Sequence, residues 1–435
     1  MTGTIGTITD KLSGRALTLE TGGNLFINAE AFTQLGSINS LDEDLIRLAA
    51  FVYAADLAVL RREREQHLRS IVVRVPVVNI QAFERVRALL EQALTTVSVD
   101  NWTLEFVPIT EGSPARSSKW PAKREATLMF SGGIDSFAGA IELLKNNDEI
   151  TLVSHVTHNL PVKNAQVALA KAVQSATKKQ IVHLQVRVSG RNFRKLKFPA
   201  DHEREDTQRT RSFLFTALAA VAARLDGSRR IIVMAENGQF AIHLPLTAAR
   251  IGSFSTHTAH PKFLATMQEV LRQLYVCNDL EVVNPFVHLT KGEVVALIPA
   301  AVRPQIKESS SCWRVARVSA SATHCGECVP CLSRRIALEK NGIHIAEYHR
   351  DLLSLDVGKL PEDDLGKRNL VDLCQFIALF EGKNRLRSDD DVCYEFPELF
   401  EQGIDRRQVI AMYRRFAKEA FSVLNRYKNI KALLK

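Results

Sequence analysis

The chain has 435 residues and a formal net charge of +9 at pH 7; 46% of its residues are hydrophobic and 24% are charged. This length predicts two or three domains, and the composition is that of a soluble globular protein. The apolar tract over residues 213–225 is too short to cross a bilayer. The N-terminus lacks the basic segment and apolar run of a signal peptide, so we expect a cytoplasmic protein with no membrane partner. Charge alone does not decide between nucleic acid, a nucleotide and an acidic substrate.

Residues 1–122 are predicted to form an N-terminal α+β accessory domain. Helical periodicity and strand alternation predict helices over 45–53 and 83–94, and strands over 71–75 and 102–107. Residues 111–119 have the Gly, Ser, Pro and charge content of a linker. We therefore place a domain boundary in that segment.

Residues 123–340 have the pattern of an α/β domain with a doubly wound parallel sheet. Short apolar strands alternate there with helices, which is typical of a parallel sheet covered on both faces. The predicted strands cover 127–130, 150–154, 181–188, 231–235 and 281–283, and the predicted helices begin near residues 136, 163, 211 and 261. A cysteine-rich excursion follows the last strand. Residues 341–435 are predicted to be a helical C-terminal extension, with helices over 369–380 and 406–424.

A glycine-rich loop follows the first predicted strand of the α/β domain, in the sequence Ser131-Gly132-Gly133-Ile134-Asp135-Ser136. Adjacent glycines let the backbone approach a phosphate, the serines supply hydroxyl donors, and the following helix directs its free amides at the anion. Asp135 is the candidate ligand for Mg²⁺. The alternative is an ordinary tight turn whose helix is capped by Asp135 or Ser136.

Four of the seven cysteines fall within twenty residues: Cys312, Cys325, Cys328 and Cys331. Four soft ligands at this spacing predict a structural Zn²⁺ with tetrahedral coordination, and Gly326 can adopt the positive φ that such a knuckle needs. A redox Cys-x-x-Cys pair and a nucleic-acid zinc knuckle remain the alternatives. The other three cysteines lie in apolar surroundings and are interpreted as packing groups.

The loop, its strand and its apolar helix resemble the PP-loop family of ATP pyrophosphatases, which cleave ATP between the α and β phosphates to adenylate a substrate. Together with Ser311-Cys312, the 325–331 cysteines, Arg334 and the Pro-hydrophobic, Leu-Thr-Lys-x-Glu stretch over 284–293, they resemble the 7-cyano-7-deazaguanine synthase (QueC) family. That resemblance implies a PP-loop, HUP-like fold, ATP and Mg²⁺ as cofactors, a structural Zn²⁺, and 7-carboxy-7-deazaguanine as substrate. Family members join ammonia to the activated carboxylate and then form a nitrile.

Three cations are the candidates for contacting phosphate or carboxylate in such a reaction. They are Arg209, Arg211 and Lys291, which with Asp135 and Ser136 make up the predicted catalytic set. Thr290 and Glu293 also fit a capping box, which would put Lys291 in the first turn of a helix. The alternative for residues 187–211, which mix both charges, is a solvated loop.

The sequence departs from the compact synthases on the predicted substrate side. The departures lie at 155–159, 209–214, 236–238 and 255–261, and the alternative for 236–238 is a plain strand-ending turn. With its two extensions, the chain looks more like the larger QueC-like proteins of bacterial anti-phage operons of the Qat type. Our hypothesis is that the activated deazaguanine carboxylate passes to an amine on a protein partner from the same operon. The alternatives are nitrile synthesis, a tRNA-modifying PP-loop enzyme, with nucleic acid as a less favoured partner, and a nucleotide-binding switch without enzymatic activity.

Overall fold

The computed structural model describes residues 3–61, 68–109, 126–157, 159–228, 230–247, 258–314, 324–345, 348–383 and 385–434. The predicted linker at 111–119 lies outside the described residues, as do residues 158 and 255–257 of the predicted substrate side. None of the helices in the described ranges is long and apolar enough to pass through a membrane.

The N-terminal region forms a four-stranded sheet with two long helices. Its elements are β1 (Ile5–Asp10), β2 (Ala16–Glu20), β3 (Leu25–Ile27), α1 (Ser40–Ala58), β4 (Ser70–Val77), α2 (Ile80–Ser98) and β5 (Asn101–Pro108). The strand order is β2-β1-β4-β5, with β4 and β5 parallel and joined through α2. Strands β1 to β3, which have 6, 5 and 3 residues, are absent from the predicted elements.

The central region forms a larger sheet with the strand order β10-β9-β6-β7-β8-β3. Its elements are β6 (Ala126–Met129), α3 (Ile134–Asn146), β7 (Glu149–Val156), α4 (Leu160–Thr177), β8 (Gln180–Gly190), α5 (Arg211–Asp226), β9 (Arg230–Val233), α6 (Gly238–Ile242), α7 (Pro261–Tyr275), β10 (Glu281–Val283) and α8 (Lys291–Ala296). Strands β6 to β10 are parallel, which confirms the predicted α/β class. The chain runs from β6 to one side and later returns to the other, so the topological switch point lies at β6.

Both faces of the large sheet are buried. On β6, Leu128 belongs to the core that includes α3, α4 and α8, whereas its neighbour Met129 belongs to the core that includes α1, α5 and α7. Leu152 and Val153 of β7 divide between the same two cores. Successive side chains of a strand point to opposite faces, which explains why these strands read as continuous apolar runs.

The N-terminal region does not pack as an isolated unit. Strand β3 joins the large sheet antiparallel to β8, and one hydrophobic core extends from the N-terminal sheet to α5 and α7. Asp42 of α1 pairs with Arg224 of α5 and accepts a hydrogen bond from the Tyr275 hydroxyl at 3.0 Å. The boundary near residue 122 lies outside the described residues and stays a prediction. The described residues on either side of it share one hydrophobic core.

The C-terminal region is mostly helical. Its helices are α9 (Val329–Lys340), α10 (Leu365–Glu381), α11 (Asp389–Glu395) and α12 (Arg406–Leu424). Along the whole described chain, short 3₁₀ segments occur at Ala29–Gln34, Asp201–Glu203, Ala300–Glu308, Val357–Lys359, Pro397–Phe400 and Lys431–Leu434. Helices α10 and α12 share an aromatic core in which Phe380 and Tyr413 stack at a centroid distance of 6.1 Å. This core also reaches Ile242, so α12 lies against the segment that follows β9.

Candidate active site

The glycine-rich loop lies at the switch point, between the end of β6 and the start of α3. Gly132 has a φ of +83°, and a Cβ there would lie 3.1 Å from the backbone nitrogen of Gln166. Gly133 is the N-cap of α3 and supplies no side chain, and no side-chain cap replaces it. The Ser136 hydroxyl instead donates to the Gly133 carbonyl at 3.1 Å. The first-turn amides of α3 are therefore left for an anion, which favours a phosphate site over a capped turn.

A cation and an amide from distant parts of the chain meet at the loop. Lys291 Nζ contacts Asp135 Oδ2, and Asn237 Nδ2 donates to the same oxygen at 3.3 Å. Asn237 also donates to Glu236 Oε1 at 3.2 Å. The 236–238 segment therefore does more than end a strand, because it brings an acid and an amide to Asp135.

The ionisation of Glu236 is opposed by its surroundings in this site. Burial, and then the charge of Asp135, raise the pKa of Glu236 to about 8. Asp135 is only 7% exposed, and its Oδ1 has no hydrogen-bond partner among the described residues. Because carboxylate oxygens are the ligands that Mg²⁺ prefers, Asp135 and Glu236 fit a divalent cation.

Helix α12 supports the segments that carry Asn237 and Lys291. Thr290 and Glu293 form the predicted capping box, with Glu293 N donating to Thr290 Oγ1 at 3.0 Å, so the cap is confirmed. The Thr290 hydroxyl donates to Glu419 of α12 at 2.9 Å. The Tyr413 hydroxyl, also on α12, donates to the Gln239 carbonyl at 3.2 Å. The backbone amide of Lys291 donates to Gln239 Oε1 at 2.5 Å, which joins the two segments.

The two predicted arginines before α5 have different surroundings. Arg209 donates to the Ser98 carbonyl at 3.0 Å, and burial followed by the charge of Arg61 lowers its pKa to about 10. These contacts are with the N-terminal region, and a phosphate role for Arg209 stays a prediction. Arg211 lies over the Phe215 ring, with 5.0 Å from its guanidinium carbon to the ring centroid. The carboxyl end of β7 lies beside it, since His155 and Phe215 have their ring centroids 5.8 Å apart.

The four predicted zinc ligands come together. The Sγ atoms of Cys312, Cys325, Cys328 and Cys331 all lie within 4.8 Å of one another, and all four residues are buried. Cys325 Sγ and Cys331 Sγ are 3.8 Å apart. A tetrahedron with Zn–S bonds of about 2.3 Å has S–S edges of about 3.8 Å, so this cluster is compatible with Zn²⁺. The neighbouring His324 accepts a hydrogen bond at Nε2 from Ser311 N at 3.2 Å.

The cysteine cluster is joined to the phosphate loop by the residues just before Cys312. Ser310 N donates to the Gly132 carbonyl at 2.8 Å. Arg334, on the helix that begins after Cys328, is buried and donates to Ser309 Oγ at 2.6 Å and to the Ile306 carbonyl at 2.9 Å. Disruption of the cysteine cluster would therefore disturb the loop as well as the knuckle.

Sequence reasoning missed several residues that organise the site: Gln166, Gln239, Tyr413 and Glu419. Gln166 Nε2 contacts the carbonyls of Ser131 at 3.5 Å and His155 at 3.4 Å. Its signal was available, because Gln166 lies three and four residues before the buried Leu169 and Ala170, on the apolar face of its helix. The other three residues lie in no motif.

Comparison with models of known families matches residues 125–342, half of the chain, to the family described as "Queuosine biosynthesis protein QueC". The matched range contains the phosphate loop, the capped Lys291 helix and the four cysteines. Comparison with the curated proteins finds no match.

Proposed function

Because the chain belongs to the QueC family, an ATP-using group of PP-loop enzymes, we propose that it adenylates a 7-deazaguanine carboxylate and passes the acyl group to an amine. The amine is carried by a protein partner encoded in the same anti-phage operon. The observation that carries the proposal is the contact between Lys291 and Asp135 at the phosphate loop, between residues 156 positions apart.

The uncapped start of α3 supports binding of the ATP phosphates. Gly132 and Gly133 keep side chains away from that surface, and the α3 amides supply donors fixed in place before the ligand arrives. Lys291 brings one positive charge to the same place. Bound Mg²⁺ would neutralise phosphate charge, with Asp135 and Glu236 as the residues to hold it.

The chemistry of the first step follows from the poor electrophilicity of a carboxylate. A carboxylate oxygen attacks the α-phosphorus, the bond between the α-phosphorus and the bridging oxygen breaks, and pyrophosphate leaves. The acyl adenylate then reacts with the amine nitrogen, which releases AMP and forms an amide. The contribution of the chain is to position the two reactants and stabilise the charge that develops on phosphate.

The two extensions support a macromolecular acceptor. The family match ends at residue 342 and begins at residue 125, so the N-terminal sheet and helices α10 to α12 are additions to it. Both additions pack against the central region and enlarge the surface around it. Such a surface is unnecessary for ammonia and useful for a protein that must present one amine.

Product analysis tests the proposal. The protein is incubated with ATP, 7-carboxy-7-deazaguanine and either ammonia or the product of the neighbouring gene, and the products are weighed by mass spectrometry. We expect AMP, pyrophosphate and a partner whose mass has increased by the acyl group. An amide or nitrile of the free base would instead assign the nitrile synthase reaction. If AMP is released neither with ammonia nor with the partner protein, both reactions are refuted.

A further inference from the structure

Arg211 is a largely buried cation without an anionic partner in the described part of the chain. It is the first residue of α5, and Phe215 supports the face of its guanidinium group. Its Nε is buried and has no hydrogen-bond partner among the described residues. A guanidinium group that is removed from water without a carboxylate is unfavourable by several kcal/mol as a general rule, so a ligand that supplies an anion is expected.

Arg211 lies on the β7 side of the phosphate loop. The ring of His155, near the end of β7, is 5.8 Å from the Phe215 ring on which Arg211 lies. The carbonyl of His155 and that of Ser131 in the loop share Gln166 Nε2 as a donor. Lys291 and Asn237 contact Asp135 from the β9 side. Lys291 therefore contacts the loop from the β9 side, and Arg211 lies beside the end of β7. Of these two cations, only Lys291 has a carboxylate partner among the described residues.

The N-terminal region holds Arg211 in place. Asp56 Oδ2 accepts hydrogen bonds from Thr210 N at 2.8 Å and from Thr210 Oγ1 at 3.0 Å, which anchors the residue before Arg211. Tyr53, three positions earlier on α1, donates from its hydroxyl to Gln208 Oε1 at 3.2 Å. The Tyr53 ring also meets the His155 ring edge-on at 5.2 Å. Helix α1 thus contacts Gln208 and Thr210, two residues of the turn that precedes Arg211.

We propose that Arg211 binds the carboxylate of the substrate to be adenylated, and that Asp56 and Tyr53 of the N-terminal region are its positioning residues. This inference rests on the proposed function. The planar guanidinium fork matches a carboxylate bidentately, whereas the phosphates have the loop amides and Lys291. The N-terminal addition is therefore part of the substrate site.

Binding measurements with two ligands test the role of Arg211. Calorimetry compares 7-carboxy-7-deazaguanine with its neutral nitrile analogue, and α,β-methylene-ATP with Mg²⁺ reports the nucleotide site. We expect Arg211→Gln to weaken binding of the carboxylate about 10- to 100-fold, the loss of a bidentate charged pair, and to leave the nucleotide affinity within about twofold. Arg211→Lys should recover part of the loss.

Arg191→Gln is the matched control, because Arg191 lies over the Phe26 ring at the same 5.0 Å but is exposed, beside the edge strand β3. It should bind both ligands like the wild type. Tyr53→Phe removes only the hydroxyl that donates to Gln208, and it should weaken carboxylate binding a few-fold. This variant tests the positioning role even if Arg211→Gln does not fold. A wild-type affinity for the carboxylate in Tyr53→Phe overturns that role. A wild type that binds the two bases equally, or an Arg211→Gln variant that loses nucleotide instead, overturns the inference. Carboxylate binding without pyrophosphate release would sink only the proposed function.

Discussion

The substitution Gly326→Ala should break the cysteine knuckle through its backbone alone. Gly326 follows Cys325 and has a φ of +80°, and a Cβ there would lie 2.0 Å from the carbonyl oxygen of Arg350. That carbonyl belongs to a segment paired with the knuckle, in which Arg350 N donates to the Cys325 carbonyl at 3.1 Å. The contact is with backbone, so no side-chain rotation relieves it.

The expected loss combines two terms. A left-handed conformation costs an L-residue about 1–2 kcal/mol relative to glycine. Forcing an extra methyl group into a packed site costs roughly 1–3 kcal/mol more, because the knuckle must move away from Arg350. We therefore expect a loss of about 2–5 kcal/mol in unfolding free energy, and a weaker metal site, since Cys325 and Cys328 move with the turn.

The zinc content per chain is measured by elemental mass spectrometry. The unfolding free energy is measured by denaturation in urea. Gly342→Ala is the control, since Gly342 has a φ of +68° and nothing within 4 Å of its added Cβ. This variant should lose only the backbone term, about 1–2 kcal/mol, and keep its metal. Equal losses in the two variants, or full zinc content in Gly326→Ala, would refute the reasoning.

Three further predictions concern other parts of the chain. Lys291→Met removes the cation at Asp135, and we expect ATP-dependent pyrophosphate release to fall about 100-fold or more with zinc content unchanged. Glu419→Ala removes the acceptor of the Thr290 hydroxyl and should lower kcat/KM for ATP several-fold, whereas unchanged kinetics would show that α12 does not position Lys291. Burial lowers the pKa of His183 to about 4 from 6.5. The unfolded chain therefore binds a proton at His183 that the folded chain does not bind between pH 6.5 and 4. As the pH is lowered through this range, His183 should contribute a fall of up to about 1.4 kcal/mol in unfolding free energy per pH unit, and His183→Gln should remove that contribution in urea titrations.

Much of the central fold was predictable because its signals are local. The five parallel strands and the helices after them appear as runs of apolar residues a few positions long, and each prediction falls within a few residues of the observed bounds. The short strand β3 was not predictable. Its 3 residues pair with a strand more than 150 positions later, and no local pattern encodes such a partner.

The candidate site divides in the same way. Spacing alone identified the cysteine cluster, since ligands three residues apart on a turn can reach one ion wherever the turn lies. Spacing could not distinguish Arg209 from Arg211. These residues are two positions apart, yet Arg209 contacts the N-terminal region at Ser98 and Arg211 lies over Phe215 near the end of β7. Packing of α1 against α5 sets these directions.

The sequence by itself determined the phosphate loop, the four-cysteine knuckle and the α/β class, because each depends on residue types at short, fixed intervals. Only the tertiary structure placed Lys291, Asn237 and Glu236 against Asp135 and raised the pKa of Glu236. It also joined the N-terminal helix α1 to the edge of the sheet beside the loop. The physical reason is that burial and charge proximity arise when distant segments pack, so they cannot be read from a single segment.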